Sequence, residues 1–257
     1  MISVIDNDSG GVKSAVRVLQ VLEHFAATRR PALAAELREH LDLPKSSCFA
    51  LMDTLRNAGY VYWVGRDAGY YPTRKWFDLS RIVAEHDPVL LVVEPHLAAV
   101  RDATGETAIL AKLDGLRVLY LAAAESHQVV RFSAGAGEHR PVHPASSGRA
   151  LLGALPREER EALIARLPLT RFTSATCTDP RKLNALVERE NAQGWHVNLG
   201  QHAPDTASVA VAFSFGLEHY ALVVGAPLHR LKGRIPKVAK ELIAHAREIS
   251  RHDEPPS

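Results

Sequence analysis

An α+β fold is expected from three features of the sequence. Residues 14–57 carry three short helical periodicities, followed directly by a β-hairpin signal. Beyond residue 88, strand patterns in pairs alternate with helical ones, as in an antiparallel sheet with helices packed on it. Between the two regions, Asp87-Pro88 ends a helical stretch, because the residue before a proline avoids helical backbone angles. These shifts divide the chain into an N-terminal unit (11–75), a connecting helix (76–88) and a second unit (89–251).

The N-terminal unit is organised around residues 43–63. Cys48, Leu51, Met52 and Leu55 fall at i, i+3, i+4 and i+7, which makes one helix face apolar. Pro44 suits a first helical turn, and Gly59 reads as a left-handed stop. The opposite face carries Lys45, Ser46, Ser47, Phe49, Ala50, Asp53, Thr54 and Arg56. A helix entering the DNA major groove needs such a face, with small groups near base edges and donors toward backbone oxygens.

The neighbouring segments raise this above an ordinary amphipathic helix. Residues 32–41 form a short helical pattern with Ala34, Leu37 and Leu41 on one side, joined to the next helix through Asp42 and Leu43. Two short helices with a tight connection are the helix-turn-helix arrangement. Runs at 60–64 and 70–72 flank Gly65-Arg66-Asp67-Ala68-Gly69 and predict a hairpin, a wing with Arg66 at its tip and Arg74 and Lys75 just beyond. Residues 11–76 hold ten basic side chains against six acidic ones, 10 − 6 = +4, whereas the whole chain is only +2. That local excess is a modest footprint for nucleic acid, and it favours salt-dependent binding by two modules per complex.

Ahead of this unit, residues 1–11 read as a polar tail. A helix then begins at Ser14 with Ala15, Val18, Leu19, Leu22 and Phe25 as its stripe, leaving Val16 and Val21 outside it. Residues 76–86 are again helical, with Trp76, Leu79 and Val83 aligned. In the second unit, 89–103 reads as a helix, and 106–113 and 117–123 as strands around Asp114-Gly115. Residues 128–134 read as a third strand, followed by a Gly- and His-containing loop over 135–143. Helices are expected at 146–154, 157–166 and 179–193, strands at 196–197, 207–215 and 220–226, and a closing helix at 231–251.

Composition narrows the function classes. No apolar run approaches the ~20 residues of a membrane span, and no secretion signal is readable at the N-terminus, so a cytoplasmic location is expected. Cys48 and Cys177 lie in different units and imply neither a disulfide framework nor a zinc site. The thirteen histidines form no H-E-x-x-H pattern, so no metal is expected. Neither G-x-S-x-G nor a phosphate loop is present, so neither a catalytic group nor a cofactor is expected. The remaining enzyme reading, a metabolite-converting protein with the winged helix as mere scaffold, has no paired catalytic groups in its favour.

Three blocks, in order, carry a family resemblance. Leu43-Pro44-Lys45-Ser46-Ser47 with Leu51, Thr54-Leu55 and Gly59-Tyr60-Val61 is similar to the DNA-binding domain of IclR-type transcriptional regulators. The block from Pro141-Val142-His143-Pro144 to Leu151-Leu152 resembles a segment of their effector domain, and residues 190–197 with Gly194-Trp195 resemble a segment before its last strands. The similarity spans about residues 12–250. It implies a GAF-like sensor fold, a first helix that helps pair DNA domains through Val16 and Val21, and helix 76–86 as the link between reader and sensor.

It also implies partners and sites. The partners are double-stranded DNA with a pseudo-palindromic operator, a small-molecule carboxylate effector and further copies of the chain in a dimer or tetramer. Carried over by position, Lys45, Ser46, Ser47, Phe49, Ala50, Thr54, Arg56 and Arg66 would meet DNA. Val129, Phe132, Ser146, Ser147, Asn198, Thr206, Ser208, Val223 and Gly225 would line the effector pocket. Asn198 and its neighbours replace the family's usual acidic cluster, Val223 and Gly225 stand where hydroxyls are common, and Ala50 replaces a common arginine. Fewer polar groups and the apolar walls of Val129 and Phe132 favour an aromatic or bulky carboxylate, its anion resting on the helix start at Ser146-Ser147.

Overall fold

Three helices open the chain: α1 (Lys13–Thr28), α2 (Ala34–Leu41) and α3 (Lys45–Asn57). They are followed by the antiparallel hairpin β1 (Val61–Gly65) and β2 (Gly69–Pro72), then by α4 (Lys75–Glu85). The structure, a computed structural model, describes residues 12–252, so the tail expected over 1–11 and residues 253–257 lie outside it. The described residues separate into two units at the His86–Asp87 step.

The first unit closes around Val21, Phe25, Leu37, Leu41, Cys48, Met52, Leu55, Val61 and Tyr70. The turn from α3 into the hairpin is sealed where Tyr60 N–H donates to Leu55 O across Gly59, whose φ of 78° is the predicted left-handed stop. Gly69 is required by proximity as well: a Cβ there would stand 2.1 Å from Ala32 O, inside the Ala32–Tyr70 bridge. That bridge is also why α2 begins at Ala34 rather than at Ala32.

The register of α1 corrects the sequence reading. Val21 is core, not a surface residue available for pairing, while Leu19 and Ala15 of the expected stripe are exposed. The inward face instead contains Gln20 and His24, and Arg17 donates to Leu41 O from the same side. Polar residues thus occupy inward positions, and a purely apolar periodicity misplaces the helix.

α4 has no buried residue, yet its start is fastened to the hairpin. Trp76 Nε1 donates to Tyr60 O at 2.9 Å, and Lys75 Nζ lies 4.4 Å from the Tyr60 ring centroid.

The second unit begins with α5 (Pro88–Thr104), capped by Asp87, whose carboxylate accepts from Val89 and Leu90 N–H. β3 (Thr107–Asp114), β4 (Arg117–Ala124) and β5 (His139–Pro141) follow. Next come α6 (Ser146–Ala154), α7 (Arg157–Arg166) and α8 (Pro180–Gln193), then β6 (His196–Leu199), β7 (Thr206–Phe215) and β8 (Glu218–Pro227). α9 (Leu228–Leu231) and α10 (Ile235–Arg251) complete it, so the expected single closing helix is two.

All six strands pair antiparallel in the order β5-β4-β3-β8-β7-β6. Both sheet faces are covered. Val93, Leu97, Leu242 and Ile249 of α5 and α10 pack with Ala108, Leu110, Val209, Leu222 and Val224. The alternate residues Ile109, Ala111, Ala210, Ala221 and Val223 pack with Ala150 and Leu151 of α6 and with Leu183 and Val187 of α8. The strand expected over 128–134 does not form. Thr107 Oγ1 donates to Phe132 O, Glu138 accepts from Gly135 N–H, and the outer edge of β4 is taken by β5. Among the described residues no helix is long and apolar enough to cross a membrane.

Candidate functional site

Two sites are built in contrasting ways. On α3, the buried face is Cys48, Met52 and Leu55, which leaves Lys45, Ser46, Ser47, Phe49, Ala50, Thr54 and Arg56 exposed on one continuous surface. Pro44 is the N-cap and no side chain caps the helix, so its first-turn N–H groups face outward with Lys45, Ser46 and Ser47. Thr54 Oγ1 turns back to Ala50 O at 2.8 Å, and Arg56 pairs with Asp53 at 3.1 Å. Arg66 is exposed in the hairpin turn.

In the second unit, most of the candidate residues are buried, among them Ser146, Ser147, Asn198, Ser208 and Val223. Helix α6 begins at Ala145 as N-cap, and no side chain caps it. The two serines are therefore not caps; their hydroxyls reach across to the sheet. Ser146 Oγ lies 2.6 Å from Ser208 Oγ, and Ser147 is within hydrogen-bonding reach of the Tyr120 phenol. Strand register brings the remaining residues into one row: Asn198 stands opposite Ser208, and Ser208 opposite Gly225. A Cβ on Gly225 would come within 2.7 Å of the Phe132 ring, so the aromatic is seated on the bare backbone of β8. Val223, two residues along on the same face, is buried against the α6 layer. Thr206, two residues before Ser208 at the start of β7, is half-buried, with its hydroxyl donating to Ala203 O.

Val129 is the exception. It is 94% exposed and lines no enclosed site, because the irregular segment 125–138 turns it outward while Phe132 turns in.

Several residues at this site had no sequence signal. Tyr120 is buried, which pushes its phenol pKa up, and Arg140 lies over its ring at 5.3 Å. Arg140 also pairs with Glu138. His143 Nε2 meets Thr170 O, and its ring neighbours Phe172, which in turn neighbours His202. Burial lowers the pKa of both His143 and His202, with Arg140 adding to the effect at His202, so both rings favour the neutral form. Position alone could have pointed to Arg140, one residue before the Pro141–Leu152 block.

Beneath the serine turn lies a buried ionic network. Arg149 is 0% exposed; it pairs with Glu190 at 2.8 Å and donates to His143 O, Gln201 Oε1 and Val197 O. Burial alone would raise the Glu190 pKa, but the His196 ring and the Arg149 guanidinium overcome it and hold the carboxyl down at about 2. Its bonds to His143 O, Val197 O and Gln201 Oε1 fix the turn before α6 to β6 and the loop after it, while Glu190 anchors it to α8.

The family models match this architecture in order. One described as the IclR helix-turn-helix domain covers residues 14–65, and one described as the bacterial transcriptional regulator IclR C-terminal domain covers 82–251. The chain belongs to the IclR family. It is a DNA-binding transcriptional regulator, and its named homologues are regulators rather than enzymes. This IclR-family chain is 26% identical over 247 residues to the HTH-type transcriptional regulator BhcR of Paracoccus denitrificans, covering 95% of this chain and 88% of that one. It is also 26% identical over 247 residues to the acetate operon repressor of Salmonella typhimurium, with 94% and 90% covered. Among solved structures, an IclR homolog from Microbacterium hydrocarbonoxydans complexed with 4-hydroxybenzoate matches with a TM-score of 0.71 and 26% identity, over 93% of this chain and 98% of that one.

Proposed function

We propose that this regulator senses an aromatic or otherwise bulky carboxylate and reads a pseudo-palindromic operator as a dimer or tetramer, in the cytoplasm. The observation that carries the ligand reading is the Phe132 ring on Gly225, next to the Ser146–Ser208 hydroxyl pair. It joins an apolar wall to one polar end, which selects a ligand built the same way. The ligand's ring lies against Phe132 and its carboxylate on the first-turn N–H groups of α6, where a helix start favours an anion. The half-buried Arg140, paired with Glu138, lies over the Tyr120 ring nearby. Phe132 stands on an irregular segment, so it is the wall able to yield on entry. The complex of the Microbacterium homolog with 4-hydroxybenzoate supports the same class.

In the N-terminal unit, the uncapped start of α3 and its exposed Lys45, Ser46, Ser47, Phe49, Ala50, Thr54 and Arg56 form the reading surface, with Arg66 reaching the flanking backbone. One such module buries too little DNA for specific affinity, which favours a two-fold assembly. Phe77, Leu79, Ile82 and Val83, exposed on α4, supply apolar surface for it. Sedimentation at micromolar concentration is expected to show no dominant monomer.

Isothermal titration with 4-hydroxybenzoate and with glyoxylate tests the sensor. The aromatic acid is expected to bind more tightly, and Ser146→Ala with Ser147→Pro to weaken it by more than tenfold, since a hydrogen bond to an anion contributes about 1.5–3 kcal/mol. Tighter binding of the two-carbon acid overturns the pocket assignment.

A further inference from the structure

Far along the chain from the reader and the serine turn, helices α5 and α10 bring together three metal-competent side chains. His96 Nδ1 on α5 and His245 Nδ1 on α10 face each other at 2.9 Å, with the ring planes inclined at 71°. Glu248, one turn beyond His245, places Oε2 3.8 Å from both nitrogens. Both imidazoles are partly buried, whereas the carboxylate is exposed at the mouth of a cleft of about 290 Å³ that Arg251 and His252 also line.

We propose that His96, His245 and Glu248 form a site for a borderline divalent transition ion, of which zinc is the natural probe. Two imidazole nitrogens and one carboxylate oxygen are a donor set for zinc, nickel or copper rather than for magnesium or calcium, which take oxygen ligands. The spacing fits after a small adjustment. Two nitrogens bound at about 2.0–2.1 Å in a tetrahedral site stand roughly 3.3 Å apart, so the Nδ1 pair opens by a few tenths of an ångström through side-chain torsions. Both rings present Nδ1 to one point when their protons sit on Nε2, and Glu248 closes the third corner. The fourth position opens on the cleft, which is lined in part by His252 just beyond α10, and is left to water.

The competing account is an ordinary hydrogen bond between two neutral histidines, one donating and one accepting. The two accounts differ in the response to metal. Bound zinc would tie the first helix of this unit to its last, and a ligand that binds only the folded state raises the unfolding temperature.

Tag-free chain stripped with chelator is titrated with zinc against a chromophoric competitor, with thermal unfolding followed in parallel. The expected result is one zinc per chain at micromolar affinity or better, a raised unfolding temperature, and no response to magnesium. His96→Asn with His245→Asn, which leaves eleven of the thirteen histidines, is expected to lose binding by more than tenfold. Exposed Glu248→Gln, which leaves the helix contact intact, is expected to weaken it by about tenfold. Zinc affinity that is the same in the wild-type chain, the double variant and Glu248→Gln overturns the proposal, as does a wild-type chain that takes up no zinc.

Discussion

The reader and the sensor solve opposite problems with the same residue types. On α3, Ser46 and Ser47 are exposed and follow an uncapped helix start, so their donors face outward. On α6, Ser146 and Ser147 also follow an uncapped start, but both are buried and spend their hydroxyls on Ser208 and Tyr120. A serine pair at a helix start therefore has no fixed meaning. Its burial decides whether its hydroxyls face outward or are spent inside the fold.

Breaking the buried side should have the largest effect. Arg149→Met leaves Glu190 buried without its cation, and breaking a buried ion pair from one side costs about 3–5 kcal/mol. Hydrogen exchange resolved by peptide should show lost protection across residues 87–252, while peptides from 12–86 keep theirs. Equal loss in both units would mean that the network does not belong to the sensor alone.

Acid should act on both units next. Glu190 is held at about 2 in the folded chain against an ordinary 4.5, so its stabilising effect is complete above about pH 4.5 and is lost as pH falls toward 2. In the reader, burial and the neighbouring His40 lower the pKa of His24, whose Nε2 has no hydrogen bond and lies 3.6 Å from Glu36. A histidine kept neutral by folding stabilises above its ordinary 6.5 and loses that contribution as pH falls below it. His143 and His202 are lowered by burial in the same way, so exchange protection measured from pH 7 to 4 should decline in both units, and His24→Phe should reduce the decline in residues 12–86 alone.

The exposed side responds to charge instead of packing. Ser47→Glu places an anion where the reading surface meets phosphates and should weaken operator binding by more than tenfold with unfolding unchanged. Lys45→Ala should weaken binding to all sequences alike and reduce the salt slope by about one unit. A gel-shift series with unaltered affinity for Ser47→Glu removes α3 from the interface.

The same contrast explains what the sequence made legible. α3 could be read because Pro44, the Cys48–Leu55 periodicity and Gly59 all lie within one continuous segment. The row Asn198–Ser208–Gly225 was reached only through family resemblance, since strand register sets it and spacing does not reveal register. Tyr120 and Arg140 escaped notice because their meeting with Ser147 and His202 crosses sheet and loop. Residues 128–134 were misread as a strand because Val129 and Val130 are β-branched, although their segment lies off the sheet edge that β5 occupies. His96 and His245 stand 149 residues apart, beyond any local motif.

If binding at the start of α6 alters DNA reading by α3, operator titration with and without 4-hydroxybenzoate will show it. Coupling between two sites is reciprocal and typically about 1–3 kcal/mol, or 5–150-fold. The acid should change operator affinity by such a factor, the operator should change the acid's affinity by the same factor, and Gly225→Val, which drives a side chain into Phe132, should reduce the effect toward one. Operator affinity indifferent to a saturating, demonstrably bound acid, or an equal shift in the Gly225→Val chain, would contradict such coupling.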